Sequence, residues 1–151
     1  MADALLVGFL EKRAFLKENI LVSDCLESRL EFMSNKFGVK TTSDNISLTN
    51  ELQIIVLAVK PQVMDGVLKE IAPYVNDSHL IISIAAGYPI SKMENCLGTD
   101  KRLVRVMPNT PCKIGSGASG FCLGKNATQR DSDSVKLMFD SVGLSYEVTE
   151  S

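Results

Sequence analysis

The chain has no tryptophan, a single histidine and no apolar run long enough to cross a bilayer. A spanning helix needs about 20 apolar residues in a row, so no transmembrane segment is read here. His79 stands alone, and Cys25, Cys96, Cys112 and Cys122 are too far apart to form a C-x-x-C pair. A metal site is not expected from that set, and the cysteines read as reduced thiols of a cytoplasmic protein. Cys112 has no imidazole near it in sequence, so it reads as packing rather than as a nucleophile. An excess of one charge is also lacking. The 16 basic and 18 acidic residues leave a net charge of −2, which argues against a nucleic-acid partner. Asp3 and Glu11 interrupt the first apolar stretch and no basic region precedes it, so the N-terminus does not read as a signal peptide.

What is present is enough apolar material for one domain: 45% of 151 residues. Ala2, Leu5, Leu6, Phe9 and Leu10 recur at helical spacing and predict a helix from Ala2 to about Lys17. Residues 19–23 read as a short buried strand, 26–37 as a helix stopped by Gly38, and 39–42 as another strand. Ser43-Asp44-Asn45 is a turn in which the Asp or the Asn caps a short helix. Residues 53–59 form an apolar strand, and Pro61 opens a helix reaching Tyr74. Strands at 80–84, 103–107, 119–123 and 144–148, with helices at 90–96 and 128–141, complete the pattern. The last helix turns Val135, Met138 and Phe139 inward. Apolar strands alternating with helices imply a doubly wound α/β fold with a parallel sheet covered on both faces. The whole of 1–151 reads as one unit, without repeat or linker.

Three strands end in unusual loops. Arg105-Val106-Met107-Pro108-Asn109-Thr110-Pro111 carries two prolines, which fix the backbone and present Asn109 on a stiff support. Val56-Leu57-Ala58-Val59-Lys60-Pro61 ends in small side chains that leave backbone groups open, and Lys60 could set a cation near phosphates or a ribose. Ile84, Ala85, Ala86 and Gly87 are almost free of side-chain bulk, so backbone amides can approach a ligand. Strand ends of this kind are where open α/β sheets bind ligands. Arg105 points out of an apolar strand, expected to pair with an acid. Lys92, Glu94, Lys101 and Arg102 read as solvated surface, and His79 as a surface residue.

The order VLAVKPQ at 56–62, ISIAAG at 82–87 and RVMPNTP at 105–111, followed by Gly115-Ser116-Gly117-Ala118, resembles the N-terminal cofactor-binding domain of pyrroline-5-carboxylate reductase over essentially the whole chain. The resemblance implies a Rossmann-like fold and an NAD(P)-dependent oxidoreductase of proline biosynthesis. It would pass a hydride from the reduced nicotinamide to the imine carbon of 1-pyrroline-5-carboxylate, giving L-proline. NADP(H) is the implied cofactor, with NAD(H) left open. It also implies a first strand with a G-x-G-x-x-A turn, of which Met1-Ala2 would be the last two positions. A C-terminal helical dimerisation domain is implied as well, which completes the substrate site in a homo-oligomer. Both ends of this chain therefore read as cut.

Under this resemblance the cofactor residues are Met1, Ser23, Asn45, Ala58, Val59, Lys60, Pro61, Ile84, Ala85, Ala86 and Asn109. Ser23 and Asp24 end the second strand of the pattern, where the adenosine ribose is met. A carboxylate there favours a free 2′-hydroxyl over a phosphate. Asp24 has the competing reading of a helix N-cap, and so does Asn45. No catalytic residue and no proton donor is identified. A non-catalytic remnant of the same fold stays open as the alternative, as does, more weakly, another imine or 2-hydroxyacid reductase. The chain alone is expected to lack reductase activity and to be poorly stable, because a missing central strand leaves two edges unpaired.

Overall fold

Strands without polar alternation must be covered on both faces, and helices do this here. The computed structural model describes residues 1–109 and 116–150. Its helices are α1 (Ala2–Glu11), α2 (Glu27–Phe37), α3 (Asn45–Glu51), α4 (Pro61–Ile71), α5 (Ile90–Leu97) and α6 (Gln129–Asp140). Its strands are β1 (Leu21–Ser23), β2 (Lys40–Thr42), β3 (Ile54–Leu57), β4 (Leu80–Ser83), β5 (Arg102–Met107), β6 (Gly117–Leu123) and β7 (Gly143–Glu147). On one face α1, α2 and α6 bury Phe9, Met33 and Phe139 against Ile82, Val106 and Phe121. On the other, α4 and α5 bury Leu68 and Met93 against Leu57, Ile81 and Leu103. Val135, Met138 and Phe139 all point inward, as their spacing predicts.

The α/β doubly wound reading holds, with one correction. β3, β4 and β5 are parallel, and β6–β7 and β1–β2 are parallel, but β5 and β6 run antiparallel. Parallel neighbours need a long crossover. The connection from Met107 to Gly117 carries no helix among its described residues, and the chain reverses instead.

The strands form two sheets, β1–β2 and β3–β4–β5–β6–β7. Among the described residues no ladder joins β1 to β3. The break falls where the doubly wound strand order places one more strand. It also explains a second difference: β1 is half-buried along its length rather than buried, and Ile54 of β3 is 38% exposed.

The local stops follow the sequence closely. Gly38 ends α2 with φ +70°. Asp44, not Asn45, caps α3, accepting from the amides of Ile46 (2.9 Å) and Ser47 (3.1 Å). Thr128 and Asp131 form a reciprocal capping box at α6. The first helix is shorter than expected. It ends at Glu11, Arg13 turns at φ +54°, and Phe15 folds back edge-on to Phe9 at 5.1 Å. A continued helix would carry Phe15 away from that contact. The 72–74 segment is a separate 3-10 turn after α4. Gly8 meets α6's end so closely that an added Cβ would lie 2.8 Å from the Ser141 carbonyl oxygen.

Two glycines should respond oppositely to the same change. Gly143 sits at φ +148°, and a Cβ there would lie 2.0 Å from the Gly117 carbonyl oxygen. Gly66 lies within α4 with open space around it. Gly143→Ala is expected to cost about 1–3 kcal/mol or more. Gly66→Ala should add about 0.4–1 kcal/mol. Urea denaturation of the two variants against the parent chain checks both signs.

Candidate functional site

The ladder pairs Leu57 with Ser83 and Ser83 with Arg105, so β3, β4 and β5 stop at nearly the same level. Their loops therefore open side by side at the carboxyl edge of the sheet, and the Ile84 amide donates to the Leu57 carbonyl at 3.2 Å. At that edge Ala58, Lys60, Pro61, Ala86 and Gly87 are exposed and Val59 and Ile84 are half-buried. Gly87 takes φ +67°, and a Cβ on it would meet nothing within 4 Å. The site is open and low in bulk, as the sequence suggests. Ala85 differs. Its side chain is 5% exposed and belongs to the core beneath the loop, while its amide is held by the Ser83 hydroxyl at 3.2 Å. Small residues that alternate between core and ligand look alike in sequence.

Asn109 lies beside Met107, which is 38% exposed, and its side-chain oxygen accepts from the Ala118 amide at 3.0 Å. Its carbonyl thus fastens the chain just beyond β5 to the start of β6. Thr110, Pro111, Cys112 and Gly115 lie outside the described residues.

A second group gathers at the ends of β1 and β2. The Ser23 hydroxyl donates to the Asn45 side-chain oxygen at 2.6 Å, and the Asn45 amide donates to Glu70 of α4 at 3.0 Å. Asp24 accepts from the Leu26 amide at 2.9 Å, a local turn ahead of α2 rather than the expected N-cap: the cap residue is Leu26, and no side chain caps that helix. Met1 is the N-cap of α1, where backbone amides face outward at a helix start that suits an anion. Asp3 in that first turn pairs with Arg29 at 2.7 Å.

Two side chains unmarked in the sequence reading brace the site. Tyr88 is 3% exposed and donates its hydroxyl to Asp65 of α4, joining the loop after β4 to the helix that follows β3. Burial, then the Asp65 hydrogen bond, raises the Tyr88 phenol well above its usual range. Glu150 accepts from Arg105 at 3.0 Å and from the Ile90 amide at 3.2 Å, so the expected acid partner of Arg105 comes from beyond β7.

Two surface assignments are corrected. His79 is 5% exposed; its ring accepts from the Asn76 amide at 3.0 Å and donates to the Thr49 carbonyl at 2.7 Å. Arg102 pairs with Asp131 at 2.6 Å and donates to the carbonyls of Asp77 and Ser78. Both clamp loops at the opposite, amino end of the sheet. Among the described residues, no group of three or more metal-ligating side chains converges and no helix is long and apolar enough to cross a membrane.

The family model described as NADP oxidoreductase, coenzyme F420-dependent, matches residues 1–87. A pyrroline-5-carboxylate reductase of Methanosarcina acetivorans is 38% identical over all 151 residues, which cover 56% of that protein. A solved pyrroline-5-carboxylate reductase from Coxiella burnetii superposes with a TM-score of 0.94 at 30% identity, over 99% of this chain and 55% of that one. The Plasmodium falciparum pyrroline carboxylate reductase, solved with NADP bound, gives 0.87 at 34% identity, over 98% and 53%. The chain spans about half the length of the relatives it matches.

Two measurements follow from this geometry. The Cys122 thiol is buried, which raises its pKa, while Cys25 is exposed. Iodoacetamide should label Cys25 in the folded chain and Cys122 only after unfolding, as read by peptide mass mapping. Tyr88→Phe should cost about 1 kcal/mol at pH 8. The folded state holds the phenol neutral, whereas the unfolded chain ionises it near pH 10. The tyrosine's advantage is therefore present below about pH 10 and shrinks above it. Urea melts at pH 8 and pH 10.5 read the difference.

Proposed function

The chain belongs to the NADP oxidoreductase, coenzyme F420-dependent, family, and from that premise we propose that it is the nicotinamide-nucleotide-binding unit of a pyrroline-5-carboxylate reductase. One observation carries the reading. Small, exposed residues lie level at the carboxyl ends of β3, β4 and β5, on a chain 38% identical along its whole length to a reductase of that name.

The residues fit a dinucleotide. Ala58, Ala86 and Gly87 leave backbone amides open to a ring approaching the sheet edge. Lys60 adds a cation, and the first turn of α1, starting after Met1, offers amides to phosphate oxygens; α4 opens on Pro61, which has no amide hydrogen, and its Val63 amide donates to the Lys60 carbonyl. Val59, Ile84 and Asn109 complete the nicotinamide side, with Ala85 acting through its backbone. Ser23 and Asn45 take the ribose at the other end. NADP(H) is the cofactor of this reading.

A bound reduced nicotinamide supplies the hydride; the chain's own part is to bind it and fix which face meets the substrate. The reacting atom is the imine carbon of 1-pyrroline-5-carboxylate, which accepts hydride readily once the ring nitrogen is protonated, giving L-proline. Residues 58–61, 84–87 and 107–109 include no carboxylate and no imidazole. The proton and the carboxylate-binding groups are therefore assigned to a helical part of a longer protein. That protein is read as a cytoplasmic homo-oligomer, and residues 1–151 as one domain of it.

Ala86→Asp sets a carboxylate against the nucleotide and should weaken NADPH binding roughly tenfold or more, about 1.4 kcal/mol, with an unchanged melting temperature. Fluorescence titration of NADPH measures it, and equal affinity in both proteins would count against the site. The 151-residue chain alone should show no NADPH oxidation that depends on pyrroline-5-carboxylate. A longer product that includes the helical part should show it. Turnover by the isolated chain would refute this division of labour.

A further inference from the structure

We propose that Glu70 sets the hydrogen-bond polarity of the ribose end of the site, and with it the balance between a free and a phosphorylated 2′-hydroxyl on the cofactor. The proposal rests on the cofactor reading above.

Three side chains from three elements carry it. Glu70 lies near the end of α4, Asn45 opens α3 and Ser23 ends β1. An ionised carboxylate only accepts hydrogen bonds. The Asn45 atom 3.0 Å from Glu70 must therefore be the amide nitrogen. That choice turns the amide oxygen toward Ser23, where it lies 2.6 Å from the hydroxyl oxygen. Two oxygens at that distance need a hydrogen between them, and only the serine has one. Ser23 thus donates inward, and a hydroxyl has a single proton to give. What it offers a ligand is lone pairs.

One negative charge on α4 fixes the direction of both hydrogen bonds. Next to Ser23, Asp24 adds a carboxylate whose one oxygen is occupied by the Leu26 amide. Outward-facing acceptors and a negative charge suit a ribose hydroxyl, which can donate. A phosphate, which brings acceptors and negative charge of its own, is held less well by them than by donors turned outward. Glu70 is exposed and Asn45 half-buried, so a single surface substitution can change the polarity without opening the core.

Glu70→Gln is the informative variant. A glutamine amide can give as well as take, so the Asn45 amide is free to turn over and present its nitrogen to Ser23. The serine proton then becomes available to the ligand. NADPH and NADH are titrated separately onto the full chain by fluorescence, at low and high salt. The expected result is a shift of the NADPH-to-NADH affinity ratio toward NADPH by roughly fivefold. The shift should persist in high salt, where a plain charge effect is screened. It should vanish when the same change is made in a Ser23→Ala background, because the serine proton carries it. Thermal melting confirms that both variants are folded, and Glu70→Ala serves in place of the glutamine if that variant is not. With the alanine both affinities should fall, since neither amide orientation is held. An unmoved ratio, or a shift that survives in Ser23→Ala, overturns the proposal alone. Wild-type chain that binds neither nucleotide overturns the cofactor reading and this proposal with it.

Discussion

The hydrogen-bond register through β3, β4 and β5 is the constraint on which the site depends. Pairing Leu57 with Ser83 and Ser83 with Arg105 brings three chain reversals to one edge. Because β3–β4 and β4–β5 are parallel pairs, each of those two steps needs a crossover, and α4 and α5 are those crossovers. Each helix begins just after its strand ends, so both helix starts face the same side as the strand ends. The positive ends of two helix dipoles at that edge follow from topology alone, and at α5 Glu150 already takes the first amide, that of Ile90. A slip of one residue in any of these ladders would turn core side chains such as Ile81 and Ile82 to the wrong faces. The apolar core therefore holds the geometry of a polar edge.

Much of this was legible in the sequence because it is written locally. Gly38, Pro61 and Thr128 mark helix ends by their own backbone or side-chain chemistry, and the helix and strand periods of the segments between them show directly. The three strand-end loops were legible for the same reason. The errors share a different cause. The length of α1 is set by a contact between Phe9 and Phe15, and the direction of β6 by pairing with β5. The burial of His79 and the anchoring of Arg102 depend on partners 30 and 29 residues away. Asn45 and Glu70 are separated by 25 residues, Arg105 and Glu150 by 45. No pattern in a single chain marks such pairs before the fold brings them together.

The division of the strands into a pair and a group of five gives side-chain links between them unusual weight. Where a continuous sheet would transmit position through its backbone ladder, here α1 and α2 pack Leu6 and Met33 against the shared core. The chain from Ser23 through Asn45 to Glu70 adds a polar tie between β1 and α4. The two ends of a dinucleotide would thus be held by parts of the protein joined through side chains and helices. Their spacing is set by packing on one face and by two hydrogen bonds on the other.

The contact at Gly8 has a consequence for how such chains diverge. Its lack of a side chain serves the seating of α1 on Ser141 and Val142. Ala58 and Ala86 are the reverse case: small, and exposed at the carboxyl edge of the sheet. A lineage that abandoned the nucleotide but kept the fold would hold position 8 fixed while positions 58 and 86 drifted to larger or charged residues. A lineage that kept the chemistry would hold all three. Drift at those positions can therefore be read as a record of whether selection acted on the nucleotide or only on the scaffold.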